Sequence, residues 1–195
     1  MRRNRWFALA LSVALTLTVG VLSMVGGAHR AFASGGDADG DLEGCYWSNK
    51  TVTLENYAVY NIDVTAWNNG LNSWDSTAQP YRYSVTSSSP NVLLNDTDNS
   101  SVGWDGLTSY SCSGGYFSGT NTSTLNYYYT QSYSQAEANS PAAHELGHDL
   151  GLAHENGAVL MNPYTCGAGS RWCTYGINTP QSDDVTDVNG LPNGG

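Results

Sequence analysis

Apolar and polar positions along this 195-residue chain change period several times, and each change predicts an element. Over residues 56–69 the apolar and aromatic positions are Tyr57, Tyr60, Val64 and Trp67, three or four apart, and Gly70 follows. That spacing predicts a first helix ending at the glycine, with the stripe turned to the core. Short runs of strand character come next at 81–85, 91–95 and 124–130, the last with Leu125, Tyr127 and Tyr129 in alternation. Gly, Ser, Asn and Asp fill the gaps as loops. A second helix is predicted from Ser140 as cap and Pro141 as first residue, with Ala143, Leu146 and Leu150 as its buried face. Thr179-Pro180 marks the start of a last helix, with Asp183 and Asp184 in its first turn and Val185, Val188 and Leu191 as its stripe.

The N-terminus has a different character. Arg2, Arg3 and Arg5 precede an apolar run from about Phe7 to Ala28, and Ala31-Phe32-Ala33 offers a small-x-small cleavage site before Ser34. This is the pattern of a secretory signal peptide over residues 1–33. An uncleaved membrane anchor is the competing reading of the apolar run, and Gly20, Gly26 and Gly27 and the cleavage site argue against it. Residues 34–44 are rich in Gly and Asp and read as a flexible acidic segment, leaving 45–195 as one domain.

Cleavage there would leave only Lys50, Arg82 and Arg171 against all 17 acids, a formal charge of −14. Such a chain repels phosphate backbones and anionic lipid, so neither nucleic acid nor, after cleavage, a membrane is an expected partner. The four cysteines fit export and two disulfides. Three pairings exist; the favoured one joins Cys166 to Cys173 around a short loop and Cys45 to Cys112.

The chemistry is concentrated at His144-Glu145-Leu146-Gly147-His148, with Gly151 and His154 beyond. On a helix, residues at i and i+4 share a face, so both imidazoles can meet one ion while Glu145 stands beside them. Gly151 lets the chain turn, and His154 can return as a third nitrogen ligand, leaving a fourth position for water. The string is expected by chance only roughly 5 times in a million such chains. His29, the remaining histidine, lies in the segment to be removed. These residues predict one catalytic zinc ion held by His144, His148 and His154, with Glu145 as general base.

With Val159-Leu160-Met161-Asn162-Pro163 following, the whole pattern resembles the metzincin zinc endopeptidases, Met161 matching the methionine of their Met-turn. Within them it is most similar to the matrixins, including small secreted bacterial ones; Leu125-Asn126, Ala142-Ala143 and Ser182-Asp183-Asp184-Val185 extend the likeness. Glu155 is the residue type of astacins, but their tyrosine two positions past the methionine is Pro163 here.

The resemblance implies an α+β fold, a twisted mixed sheet of α/β type with packed helices, an active-site helix and a smaller irregular C-terminal subdomain. It also implies a secreted, extracellular, monomeric enzyme acting on proteins or peptides. Tyr164 and Trp172, in or beside the Cys166–Cys173 loop, would wall the pocket for the residue after the cut bond. The second, structural zinc of animal matrixins is not carried over, because the mature chain has no further histidine. Calcium could be held through Asp96, Asp98 and Asp105. Two other classes fit the same ligands: a zinc amidase or esterase, and a non-catalytic adhesion module keeping zinc for stability.

Overall fold

A computed structural model describes residues 31–34 and 42–192. The rest of the expected signal peptide, and most of the acidic segment, lie outside the described residues. The fold is α+β, as expected. In chain order the elements are β1 Ala31–Ser34, β2 Thr51–Asn56, α1 Asn61–Asp75, β3 Arg82–Val85, β4 Val92–Thr97, β5 Gly106–Ser109, β6 Cys112–Ser113, β7 Tyr116–Phe117, β8 Asn121–Asn126, α2 Tyr127–Thr130, α3 Gln135–Leu150 and α4 Ser182–Gly190.

Six strands form one sheet in the order β1-β5-β8-β4-β2-β3, while β6 and β7 pair as a separate hairpin. Only β5 and β8 run antiparallel within the large sheet. The expected cleavage site, Ala31-Phe32-Ala33, falls inside β1, which pairs with β5 from Ala31 opposite Gly106 to Ser34 opposite Ser109. Among the described residues no helix is long and apolar enough to cross a membrane.

Period-2 burial selects the inner face: Val52 and Leu54 on β2, Val92 and Leu94 on β4, and Asn121, Ser123 and Leu125 on β8. The apolar members join Trp67 and Trp74 of α1 and Leu146 and Leu150 of α3 in one core. Each such large side chain contributes about 1.5–3 kcal/mol of transfer free energy. Both buried indoles also find acceptors, Trp67 Nε1 on Asn95 O at 3.1 Å and Trp74 Nε1 on Ala143 O at 2.8 Å.

The first helix departs from its prediction at both ends. Asn56 closes β2, and the chain turns into α1 where the Asp96 carboxylate accepts the Val59 and Tyr60 N–H groups, each at 2.7 Å. Gly70 does not stop it. The helix runs on to Asp75 because Gly70 faces α3, where a Cβ would lie 3.0 Å from Leu146 Cδ1 and 3.2 Å from Ala143 N. Its glycine is a helix-crossing contact instead.

Residues 124–130 are likewise not one strand. The Asn126 side chain accepts the Tyr128 N–H at 3.3 Å, which turns the chain out of β8 into the single turn of α2. Tyr127 then stacks on Tyr60 with centroids 3.7 Å apart.

Asp63 in the first turn of α1 is fully buried. Burial pushes its carboxyl up to about 6, with Thr130 opposing and Asp96 adding to the shift. A raised carboxyl favours the protonated folded state, so this group's contribution is full below the unfolded value near 4 and is lost as pH rises through about 6. Asp63→Asn cannot ionise, and should gain about 2 kcal/mol over the native protein at pH 7.5 but almost nothing at pH 4. Thermal unfolding at the two pH values measures this; an equal difference at both would mean that the carboxyl charge is not the cause.

Candidate active site

Helix α3, which carries the candidate site, begins at Gln135, not at Pro141. Ser134 Oγ accepts the Glu137 N–H at 3.2 Å. The spacing is that of a Ser-x-x-Glu helix start, legible at Ser134-Gln135-Ala136-Glu137. Ser140, expected as the cap, is buried inside the helix, where its hydroxyl donates to Ile177 O at 2.8 Å. Pro141 then stands in the helix interior, one N–H short.

His144, Glu145 and His148 are fully buried on this helix. Gly151 ends it at φ 106°, and the turn returns His154 to the other two imidazoles. One nitrogen from each of the three histidines lies within 4.8 Å of the others. His144 Nδ1 meets Leu160 O at 2.8 Å and His148 Nδ1 meets Leu152 O at 2.7 Å. A carbonyl can only accept, so each Nδ1 carries the hydrogen and each Nε2 presents a lone pair. Those two Nε2 atoms stand 3.1 Å apart, and His154 Nε2 is buried with no hydrogen-bond partner.

A proton is a poor filler for this arrangement. Burial drives His144 well below the usual imidazole range, and Arg171, His148 and His154 add to it. His154 is pushed down to about 3, by burial first and then by His148 and Arg171. Neutral imidazoles with converging lone pairs are the donor set of a metal ion, and the three nitrogens suit zinc.

Around this set stand groups that sequence reasoning placed differently or passed over. Glu43, assigned to the flexible acidic segment, has Oε1 at 3.3 Å from His148 Nδ1, and its carboxylate also accepts the Tyr110 hydroxyl. Its backbone N–H donates to Gly151 O at 2.8 Å. No motif announces that role. Met161 lies directly beneath α3, its sulfur where a side chain on Gly147 would have to go. The Asp184 carboxylate clamps that turn, accepting the Leu160 and Met161 N–H groups at 3.0 Å each and the Gln181 N–H at 2.7 Å. Asp184 thus joins the start of α4 to the turn that carries Met161, and Gln181 rather than Thr179 precedes the helix.

Arg171 is fully buried. It donates to Ser140 Oγ at 3.1 Å, Asn162 O at 2.7 Å and Thr165 Oγ1 at 2.6 Å, pinning the loop after Met161 to α3. Both favoured disulfides form, Cys45–Cys112 and Cys166–Cys173. Tyr164 and Trp172 are half-buried at the loop closed by the second. Asp96, Asp98 and Asp105 do not gather into a ligand set: Asp96 caps the turn into α1, and Asp105 accepts the Tyr133 hydroxyl at 3.0 Å.

A line of polar groups runs beneath the helix. Thr108 Oγ1 meets Glu145 Oε2 at 2.7 Å and Ser123 Oγ at 2.8 Å, and Ser123 Oγ meets Asp149 Oδ2 at 2.7 Å. Asn121 Nδ2 donates to Asp149 Oδ1 at 3.1 Å. The two hydroxyls supply hydrogens for two of these three contacts. Burial raises both carboxyls, Glu145 well above the carboxylate range and Asp149 to about 7.

No protein-family model and no curated protein matches the chain. Among solved structures it is similar to two of myroilysin, at 19% identity and TM-scores of 0.47 and 0.46. The matches cover 70% and 68% of this chain and 56% of those chains, so it spans little more than half the length of the proteins it resembles.

Proposed function

We propose that the protein is a secreted zinc-dependent endopeptidase of metzincin, matrixin-like type. The observation that carries this reading is the convergence of one nitrogen each from His144, His148 and His154, with Glu145 next to His144 on the same helix. A zinc ion at these nitrogens would supply Lewis acidity, bringing the pKa of a water toward ~7 and polarising a substrate carbonyl. Glu145 takes a proton from the attacking water and returns it to the leaving amine. Its Oε1 is buried with no partner, while Oε2 is held by Thr108. Tyr164 and Trp172 act as walls for the residue beyond the cut bond, fixed by the Cys166–Cys173 bridge.

The test is digestion of casein or gelatin by the chain starting at Ser34. Cleavage should stop when zinc is chelated and return when zinc is restored. Zinc-loaded protein that cuts neither substrate, or cleavage untouched by the chelator, would overturn the reading.

A further inference from the structure

Two carboxylates sit one turn apart on the buried face of α3, an arrangement that repels wherever both are charged. Opposite them the sheet presents no base. It presents two hydroxyls, Thr108 of β5 and Ser123 of β8, which are register partners across the one antiparallel pairing of the sheet. The resulting chain, Glu145–Thr108–Ser123–Asp149, has no exposed member. At the Asp149 end it is anchored twice more, by Asn121 and by Trp47 Nε1, which donates to Asp149 O at 2.6 Å. Thr108 Oγ1 also lies 3.2 Å from the backbone O of Glu145, so one hydroxyl meets both the side chain and the main chain of that residue. The other carboxylate oxygen, Oε1, lies against Gly106, where an added Cβ would come within 2.5 Å of it.

We propose that Thr108, oriented by Ser123, is the positioning residue of Glu145: it fixes one carboxylate oxygen so that the other is presented in a single direction. A free glutamate side chain has three rotatable bonds, and general-base catalysis requires the accepting oxygen within hydrogen-bond reach of the water. Gly106 keeps the space beside that oxygen clear, and the Thr108 hydroxyl removes the remaining rotation. The inference rests on Glu145 as the general base. Its own content, a carboxyl held by a strand hydroxyl, is measurable without turnover.

Infrared difference spectra between the native protein and Glu145→Gln, taken with and without zinc, isolate the Glu145 carboxyl band. In Thr108→Val that band should shift, and in Thr108→Ser it should return to its native position. In zinc-loaded protein Thr108→Val should lower kcat at least tenfold with KM within twofold and zinc content unchanged. Ser123→Ala should lower kcat about threefold, and it decides the matter if Thr108→Val does not fold. Once Glu145 is Gln, adding Thr108→Val should change kcat no further.

An unmoved band, an unchanged kcat in both variants, or a loss of zinc in step with activity would overturn the positioning role. A band shift in Thr108→Val together with a native, zinc-loaded protein that cuts no peptide would instead overturn the endopeptidase reading and leave only the hold of Thr108 on the Glu145 carboxyl standing.

Discussion

Glu145→Ala will keep about one zinc ion per chain and lose at least ~10²-fold in kcat/KM for peptide hydrolysis. The separation follows from geometry. The three nitrogens that converge belong to His144, His148 and His154, and Glu145 is not among them. Its carboxylate is tied to the sheet through Thr108. Alanine therefore removes a proton acceptor without removing a ligand, and the loss should fall on kcat. His144→Ala or His148→Ala should lower zinc content and activity together, since each deletes one of two lone pairs 3.1 Å apart. Metal analysis beside steady-state kinetics separates the two outcomes. Full turnover in Glu145→Ala would remove the assignment of the base; loss of zinc in that variant would make the residue a ligand.

Gly151→Val will cost at least about 3 kcal/mol and lower Tm by roughly 6–12 °C. Two separate obstacles act at that residue. Its φ of 106° is one that L side chains rarely adopt, and a Cβ there would run into the carbonyl oxygen of Cys45. Relief would require moving either the segment around Cys45 or the turn that carries His154. Zinc affinity should therefore fall along with stability. Calorimetry of zinc-loaded and chelated protein tests both; a variant with native Tm and native zinc content would mean that the turn adjusts freely.

The donor set was legible in the sequence because its logic is local: His144, Glu145 and His148 share one helical turn, and Gly151 and His154 follow within six residues. The groups that hold those residues in place were not, because their partners are distant in sequence. Thr108 and Ser123 occupy inward positions of strands and read as polar loop or surface residues. Asp184 looked like a dipole partner in the first turn of a helix, yet its carboxylate reaches more than twenty residues back to Leu160 and Met161. Gly70 read as a stop because a helix-crossing glycine and a helix-ending one are alike until the neighbouring helix is known. The missed start of α3 is different. Ser134 and Glu137 carried the signal, and Pro141, a favoured first residue, drew the boundary away from it.

The segment 42–47 lies along the C-terminal end of α3: Leu42 bridges to Leu152, Glu43 reaches His148, the Cys45 carbonyl meets Gly151, and Trp47 binds the Asp149 carbonyl. It is tied to the β6–β7 hairpin by the Cys45–Cys112 bond and by two backbone hydrogen bonds, Tyr46 N–H to Gly115 O and Phe117 N–H to Tyr46 O, both at 3.2 Å. The bridge is thus one of several ties that hold Glu43 against His148. Thiol reduction would therefore loosen the clasp around the candidate metal ligands without removing the hydrogen bonds that also hold it, so oxidising surroundings would tighten the candidate site.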